Sequence, residues 1–329
     1  MNVLLVVWLL VAAPPADSPM DASTESVHSA IGRSVPFLQR EGQAWIDNRK
    51  CVSCHQVPFM VWSLKEAHSA GATVDQAKLG EASAWSVDWQ NWTAPKNREK
   101  TDQAEAETGN IDTMYQLLLS SNYSDDKAAG EWEGAFETAL VTRQEDDGSW
   151  KACGQLPLQD RPQRETTEVT TMWTLLALQP RAKELPSWDD KLTSAKQFLT
   201  EAEPGQSSEW WAVRMLFEQR FGSPEKQQEF KQQLLSRQQE DGGWGWLVDR
   251  PSDALGTGIV LFALSHQPQE GDAAAIGKAR RFLIDNQEED GSWTVPSTLK
   301  RAKGKVKETS TYWGTAWAII ALVRTQPAP

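Results

Sequence analysis

Residues 283–293 read Leu-Ile-Asp-Asn-Gln-Glu-Glu-Asp-Gly-Ser-Trp, and two other stretches of the chain share their pattern. The shared pattern is Leu, three residues, Gln, two residues, Asp, Gly, one residue and Trp, and it recurs at 140–150 and 234–244. Apolar residues at helical spacing precede each copy, and the Asp-Gly step supplies a residue that can adopt a positive φ where a helix ends. The pattern therefore predicts a helix C-terminus and the turn after it, repeated along the chain.

A second pattern follows each copy of the first. It consists of Thr, five residues, Ala and Leu, and it begins at Thr171, Thr257 and Thr315. These segments are apolar around much of a helical circumference, which is typical of a helix that is buried on several sides. Each repeat is therefore predicted to be a helical hairpin whose first helix lies outside and whose second helix lies inside.

Counting the hairpins predicts an all-α architecture of about six units. A single hairpin buries only part of its apolar surface, so closure into a ring would satisfy the terminal units. Apart from the three clear repeats, helices are expected near 26–46, 57–70, 74–90 and 110–121, and a weaker repeat at 195–199 precedes a helix at 210–221.

The Gln-x-x-Asp-Gly-x-Trp motif resembles the QW repeat of squalene-hopene cyclase and related triterpene cyclases, whose relatives include the protein prenyltransferase β subunits. The resemblance covers residues 128–325 and implies an α/α toroid, or α6/α6 barrel, with a central cavity. The resemblance implies that the glutamine amide ties helix ends together and that the indole of the tryptophan covers this amide. A structural role is therefore expected for Gln144, Gln238 and Gln287.

The activity of that family does not follow from the repeat alone. Triterpene cyclases protonate a polyene with an Asp-x-Asp-Asp motif, because the acid must be sustained by neighbouring hydrogen bonds. No such motif occurs in this sequence, so terpene cyclase activity is disfavoured and the enzymatic status is left open. A zinc site like that of the prenyltransferases is not apparent either, and Leu156 stands where a thioester after Cys153 would need glutamine.

A separate motif, Cys51-Val52-Ser53-Cys54-His55, has the spacing of a covalent haem c attachment site. Two thiols at this spacing can add to the vinyl groups of one haem, with the histidine as proximal iron ligand. A disulfide between Cys51 and Cys54 and a zinc half-site are the alternatives. The motif falls in the first hairpin, at the place that the QW turn occupies in later hairpins.

The haem motif leads to the main functional prediction, an exported c-type haem protein with an electron-transfer or other redox role and an unknown redox partner. The sixth iron ligand is unassigned, and Met60 and His68 are weak candidates. His28, Met114 and Met172 could bind the iron only if the fold brings them close to it. The alternative is a toroid enzyme or binding protein for an isoprenoid-like or other apolar small molecule, with the CxxC pair as a disulfide.

Charged residues near the predicted inner helices are further site candidates. Glu165, Glu168, Asp253 and Glu308 lie near helix starts, where carboxylates could face the cavity mouth but where the helix dipole also favours acidic residues. The basic cluster of Lys300, Arg301, Lys303, Lys305 and Lys307 is expected to be a solvated loop rather than an anion-binding patch.

The N-terminal residues and the overall charge set the remaining expectations. Residues 1–16 contain an apolar stretch that is too short to span a bilayer and is typical of a signal peptide, so export to the periplasm is predicted, with residues 22–329 as one toroid domain. No later stretch approaches the length of a membrane span. The formal net charge of −12 argues against a nucleic-acid partner.

Overall fold

The computed structural model describes residues 22–52, 55–122 and 130–326. The regular elements in these ranges are helices, joined by turns and a few isolated β-bridges. In chain order the longer helices are α1 (Thr24–Arg49), α2 (Val57–Ser69), α3 (Gln76–Val87), α4 (Ile111–Asn122), α5 (Glu131–Thr142), α6 (Gln163–Leu178), α7 (Trp188–Thr200), α8 (Ser208–Phe221), α9 (Pro224–Leu235), α10 (Ala254–Leu264), α11 (Ala273–Asp285) and α12 (Glu308–Arg324).

These helices form six hairpins arranged in a closed double ring. The even-numbered helices form the inner ring, in which each contacts the next and α12 returns to contact α2. The odd-numbered helices pack outside. Every residue of α10 is buried, whereas α9 buries only Lys231 and Leu234. The all-α toroid of six hairpins, with the second helix of each pair inside, is thus confirmed.

The glutamine of the repeated motif joins neighbouring hairpins. Gln144 Nε2 donates one hydrogen bond to the carbonyl of Gly148 in its own turn, at 2.9 Å, and a second to the carbonyl of Lys191 in α7, at 2.8 Å. Gln238 makes the same pair of bonds to Gly242 and Ala275, and Gln287 to Gly291 and Ala30. Each glutamine therefore ties one turn to the next outer helix, and its structural role is confirmed.

The tryptophan and threonine of the two sequence patterns meet inside each hairpin. Trp150 Nε1 donates to the carbonyl of Leu140 at the end of α5, and the backbone N–H of Trp150 donates to Thr171 Oγ1 in α6, at 2.7 and 3.0 Å. Trp244 bonds Leu234 and Thr257 in this way, and Trp293 bonds Leu283 and Thr315. The indole thus caps the outer helix while the backbone beside it is fixed to the inner helix.

The axis of the ring is filled by aromatic side chains. Trp317 lies at the centre, with its ring centroid 5.2 Å from that of Phe59, 5.4 Å from that of Trp62 and 5.3 Å from that of Phe262. The free space beside this cluster is about 10 Å³, which is enough for about one water molecule. The resemblance implied a central cavity, but large indoles occupy most of that volume in this chain.

The connection between α3 and α4 contains two short helices, Pro95–Arg98 and Gln103–Thr108. Among the helices that the structure describes, none combines the length and apolar character needed to cross a membrane. Residues 1–16 lie outside the described residues, so the signal peptide and export stay predictions.

Candidate functional site

The mouth of the toroid is the end at which the inner helices begin, and a long loop crosses it. This loop, residues 296–307, connects α11 to α12 and is called the strap here. It is a short hairpin in which the backbone N–H of Ser297 donates to the carbonyl of Lys305 at 2.9 Å. The strap meets the connection between α5 and α6, on the opposite side of the ring, where the N–H of Asp160 donates to the carbonyl of Thr298 at 2.7 Å.

A pocket of about 600 Å³ lies beside the strap and is called the mouth pocket. Its volume falls in the usual range for small-molecule sites. The segment 155–159, the strap, His55 and Trp313 form its walls. Its charged lining residues are Arg301, Lys303, Lys305 and Lys307, and no carboxylate among the described residues lines it. The cations expected to form a solvated loop therefore surround a pocket.

The Cys-x-x-Cys-His motif lies between α1 and α2, where the sequence placed it. His55 is buried in the wall of the mouth pocket, and its ring lies edge-on to Trp45, with centroids 6.3 Å apart. Burial lowers the pKa of His55 to about 4. Cys51 is partly buried, and burial raises the pKa of its thiol against the opposing charges of Arg49 and Arg98. Cys54 lies outside the described residues.

The candidates for a sixth iron ligand are spread through the fold. Met60 is buried between α1 and α12, where its sulfur and the hydroxyl of Tyr312 lie against Gly42. His68 is exposed near the C-terminus of α2, about 20 Å along that helix from His55. Met114 and Met172 are buried on inner helices, and exposed His28 contacts Gln326 at 3.4 Å. Among the described residues no three His, Cys, Asp or Glu side chains are placed to hold a metal ion.

Two of the acidic candidates bind the turn that precedes α8. The Glu165 carboxylate accepts hydrogen bonds from the backbone N–H groups of Gln206 and Ser207, at 2.8 and 3.0 Å. Glu168 accepts from the indole of Trp210 at 2.7 Å and from Arg164 at 3.1 Å. These two carboxylates of α6 therefore hold the turn before α8 and the first turn of α8 itself.

The other two acidic candidates also lie away from the mouth pocket. Asp253 caps α10 by accepting from the N–H of Gly256 at 2.8 Å, and it accepts from the N–H of Trp246 at 2.7 Å. Burial raises its pKa to about 6, against the lowering effect of these N–H groups. Glu308 is exposed and lines a separate groove on the far side of the strap. The four acidic candidates therefore form no common site at the mouth.

Asp112 is a buried carboxyl that sequence reasoning missed. It lies in the first turn of α4 and is 1% exposed. Its Oδ2 accepts from the N–H of Cys153 at 3.2 Å, and a hydrogen bond with the side chain of Thr170 also lowers its pKa. Burial raises the pKa of Asp112 to about 7, and the nearby charge of Glu209 adds to the shift, whereas the Cys153 N–H and Arg161 oppose it. Its place at the start of an inner helix was the only signal in the sequence.

Asp112 lies near the axis of the ring, because Glu209 and Arg161, whose charges affect its pKa, line the central space. Gln116, one turn further along the same face of α4, lines the central space together with Arg161 and Glu209. Arg161 Nη1 donates to Glu209 Oε2 at 2.9 Å. Leu156 lines both the central space and the mouth pocket. Asp112 is bonded to Cys153, so it lies next to the segment that runs from Cys153 to Leu156.

Comparison with known proteins finds no protein family that matches the sequence. Drimenyl diphosphate synthase from Streptomyces showdoensis is 32% identical over 60 residues, a stretch that covers 18% of this chain and only 11% of the length of that relative. An unsaturated glucuronyl hydrolase from Bacillus sp. GL1 has a similar structure, with a TM-score of 0.62 and 15% identity over 91% of this chain and 96% of that one. The type II terpene cyclase MstE from Scytonema, solved with geranylgeranyl dihydroxybenzoate, has a TM-score of 0.56 and 14% identity over 91% and 97%.

The prediction of a haem-binding electron-transfer protein is wrong. Structures that share the fold over most of the chain are glucuronyl hydrolases and a terpene cyclase, which are enzymes, and they favour the alternative of a toroid enzyme. The prediction was wrong because it inferred the function from the spacing of five consecutive residues, whereas the fold depends on the whole chain. Haem attachment itself stays a prediction. By its architecture and its structural neighbours, the chain is an α/α toroid built from six helical hairpins.

Proposed function

We propose that the protein is a toroid enzyme that binds a small unsaturated molecule at the mouth and starts its reaction with a proton from Asp112. The buried Asp112 carboxyl is the observation that carries this proposal. Because burial raises its pKa to about 7, about half of the molecules keep this proton at neutral pH. A carboxylic acid tuned in this way is suited to general acid catalysis.

The structural neighbours support a reaction on an unsaturated small molecule. One is named as an unsaturated glucuronyl hydrolase, and the other is a terpene cyclase bound to geranylgeranyl dihydroxybenzoate, whose prenyl chain contains carbon–carbon double bonds. This chain lacks the Asp-x-Asp-Asp motif of triterpene cyclases, so the acid must come from another position. Asp112 supplies a single buried carboxyl in place of that motif.

The proposed step transfers one proton to carbon. The O–H bond of the Asp112 carboxylic acid breaks, a C–H bond forms at one carbon of the double bond, and the other carbon becomes electron-deficient. Water then adds to that carbon and loses a proton to solvent, or a second double bond of the same molecule adds to it and the new cation loses a proton from a neighbouring carbon to solvent. The negative charge left on Asp112 is stabilised by the hydrogen bond from the N–H of Cys153 and by the nearby charge of Arg161. A proton from solvent restores the acid.

The substrate would approach Asp112 from the mouth pocket, because the axis of the ring is filled. Asp112 is 1% exposed and bonded to the N–H of Cys153, so contact with the substrate requires the segment from Cys153 to Leu156 to move. Leu156 and Trp313 provide an apolar surface for the unsaturated part of the molecule.

The test uses the full chain in D₂O with three probes, an unsaturated uronyl disaccharide, farnesyl diphosphate and geranylgeranyl diphosphate. We expect mass spectrometry to find one probe converted to a product that carries a deuterium atom bound to carbon. Asp112→Asn should lower the rate at least about 100-fold, because the amide has no acidic proton. The matched control is Asp253→Asn, which also removes a buried carboxyl and should keep most of the activity in the folded fraction. Conversion of none of the probes, or an equal rate in Asp112→Asn, would overturn the proposal.

A further inference from the structure

The strap differs in charge from the rest of the chain. The chain as a whole has a formal net charge of −12, yet residues 300–307 contain five cations and no acidic residue. As a sequence, this cluster is indistinguishable from a solvated loop. In the fold, four of these cations line the mouth pocket.

The backbone of the strap explains why the cations share one side. The hairpin reverses at Lys303 and Gly304, which both have a positive φ, of 50° and 71°. After this turn the chain is extended, and successive side chains of an extended chain point to opposite sides. Lys305 and Lys307 line the mouth pocket, whereas Val306 and Glu308 line the groove on the other side of the strap. The alternation therefore separates the cations from the nearest acidic residue in sequence.

Carboxylates of the described residues do not neutralise the positive charge of the mouth pocket. None of the four lining cations forms an ion pair with a carboxylate of the described residues. These four cations are exposed, whereas the buried cations Arg161 and Lys231 pair with Glu209 and Asp272. Like charges around a concave surface with an apolar floor raise the local potential and attract an ion of the opposite sign.

An unpartnered donor in the same wall points to a ligand rich in oxygen. Trp313 lines both the mouth pocket and the central space and is 6% exposed, and its Nε1 has no hydrogen-bond partner among the described residues. The indole N–H can only donate, and buried donors normally have an acceptor. Phosphate and sulfate oxygens accept hydrogen bonds from indole, guanidinium and ammonium groups alike.

We infer that the mouth pocket binds a multiply charged oxyanion, a phosphate, diphosphate or sulfate ester group of the substrate, through Arg301, Lys303, Lys305 and Lys307. This inference rests on the proposed function, since it concerns the ligand of the same pocket. A single carboxylate would neutralise only one of the four cations, whereas a diphosphate carries enough charge for several. The pocket volume of about 600 Å³ leaves room for the rest of the molecule against Leu156 and Leu299.

The inference is tested by titration calorimetry on the full chain, with inorganic diphosphate, sulfate and acetate as probes. We expect diphosphate to bind at least about tenfold more tightly than acetate, and its affinity to fall as salt is raised from about 20 to 200 mM. The order of diphosphate and sulfate distinguishes a phosphorylated from a sulfated ligand. Equal affinity for diphosphate and acetate would overturn the inference.

Charge reversal locates the site. Lys303→Glu combined with Lys305→Glu should weaken diphosphate binding at least about tenfold. The matched control is Lys96→Glu with Lys100→Glu, two exposed lysines in the connection between α3 and α4 that do not line the mouth pocket, and binding should stay within about threefold. Trp313→Phe keeps the ring but removes the N–H, and it should weaken binding about threefold. Equal losses in the strap variant and in its control would contradict the inference.

The oxyanion site and the proposed chemistry can each be contradicted separately, because binding and turnover are measured in separate experiments. Diphosphate affinity is measured without any reaction, so charge-dependent binding without turnover of any probe would retain the oxyanion site and overturn the proposed chemistry. Turnover that depends on Asp112 without charge-dependent diphosphate binding would retain the enzyme and overturn the oxyanion site.

Discussion

Gln287 Nε2, in the turn after the last outer helix, donates a 2.9 Å hydrogen bond to the carbonyl of Ala30 in the first outer helix. The same nitrogen donates to Ser34 Oγ at 2.8 Å. These bonds join residues that lie at opposite ends of the sequence. The clamp that links neighbouring hairpins elsewhere therefore also closes the ring.

Replacing this clamp should loosen the closure of the ring. Gln287→Ala removes the donor and leaves the carbonyl of Ala30 without it, and we expect the free energy of unfolding to fall by about 1–3 kcal/mol. Hydrogen exchange should accelerate in residues 24–49. The matched variant Gln238→Ala removes the bond to Ala275 and should accelerate exchange in residues 273–285 instead. The same exchange pattern in both variants would contradict a separate closing role for Gln287.

Two glycines with a similar backbone allow a test of the close approach between hairpins. Gly291 has a φ of +86°, and an added Cβ would overlap the carbonyl of Arg33 in α1, so Gly291→Ala should destabilise by at least about 3 kcal/mol or prevent folding. Gly304 has a φ of +71° with open space around it, so Gly304→Ala should cost only about 1 kcal/mol. Urea unfolding measures both values. Equal costs would show that backbone conformation alone decides and that the contact with Arg33 does not matter.

The filled axis predicts a response to removal of one central indole. Trp317→Ala should lower the free energy of unfolding by about 3–5 kcal/mol, because the surrounding aromatic rings cannot close the space. Added indole should bind there and raise the Tm of the variant. Trp188→Ala, on the outer helix α7 beside Phe221, is the control, and indole should not change its Tm. If the Trp317→Ala protein folds but its Tm does not rise when indole is added, the result would contradict the filled axis of the ring.

The pKa of Asp112 predicts how stability depends on pH. Its pKa rises from 3.8 to about 7 on folding, so the folded protein holds this proton more tightly than the unfolded chain. The resulting stabilisation is complete below about pH 4 and is lost as the pH rises to about 7, by up to about 4 kcal/mol. His55 and His266, whose pKa values fall to about 4, act in the opposite direction, since the unfolded chain binds their protons more tightly.

The comparison with Asp112→Asn isolates the carboxyl from the histidines. The difference in free energy of unfolding, wild type minus variant, should decrease between pH 4 and pH 7 and stay constant above. Chemical unfolding at several pH values gives this difference directly. A difference that does not change with pH would mean that Asp112 titrates near its usual value, which would also weaken its assignment as the acid.

The sequence predicted the hairpins well because their signals are local. The motif that ends at Trp293 contains a helix end, its turn and its capping indole within eleven consecutive residues, and the bonds from Gln287 to Gly291 and from Trp293 to Leu283 lie inside it. The same locality explains the error at Cys51 and His55. A five-residue spacing that matches a haem site says nothing about the enzyme-like fold around it.

The sequence by itself therefore determined the helical class, the six hairpins, which helix of each pair is buried, and the role of the repeated glutamines. Only the tertiary structure decided that indoles fill the axis, that Glu165, Glu168 and Asp253 bind N–H groups near helix starts, and that Asp112 is buried in the first turn of α4. It also decided that the cations of the strap face a pocket, because Gln159 and Thr298, 139 residues apart, meet only when the ring closes. Local patterns determine local bonds, whereas burial, the pKa of a carboxyl and the walls of a pocket depend on neighbours that are distant in the chain.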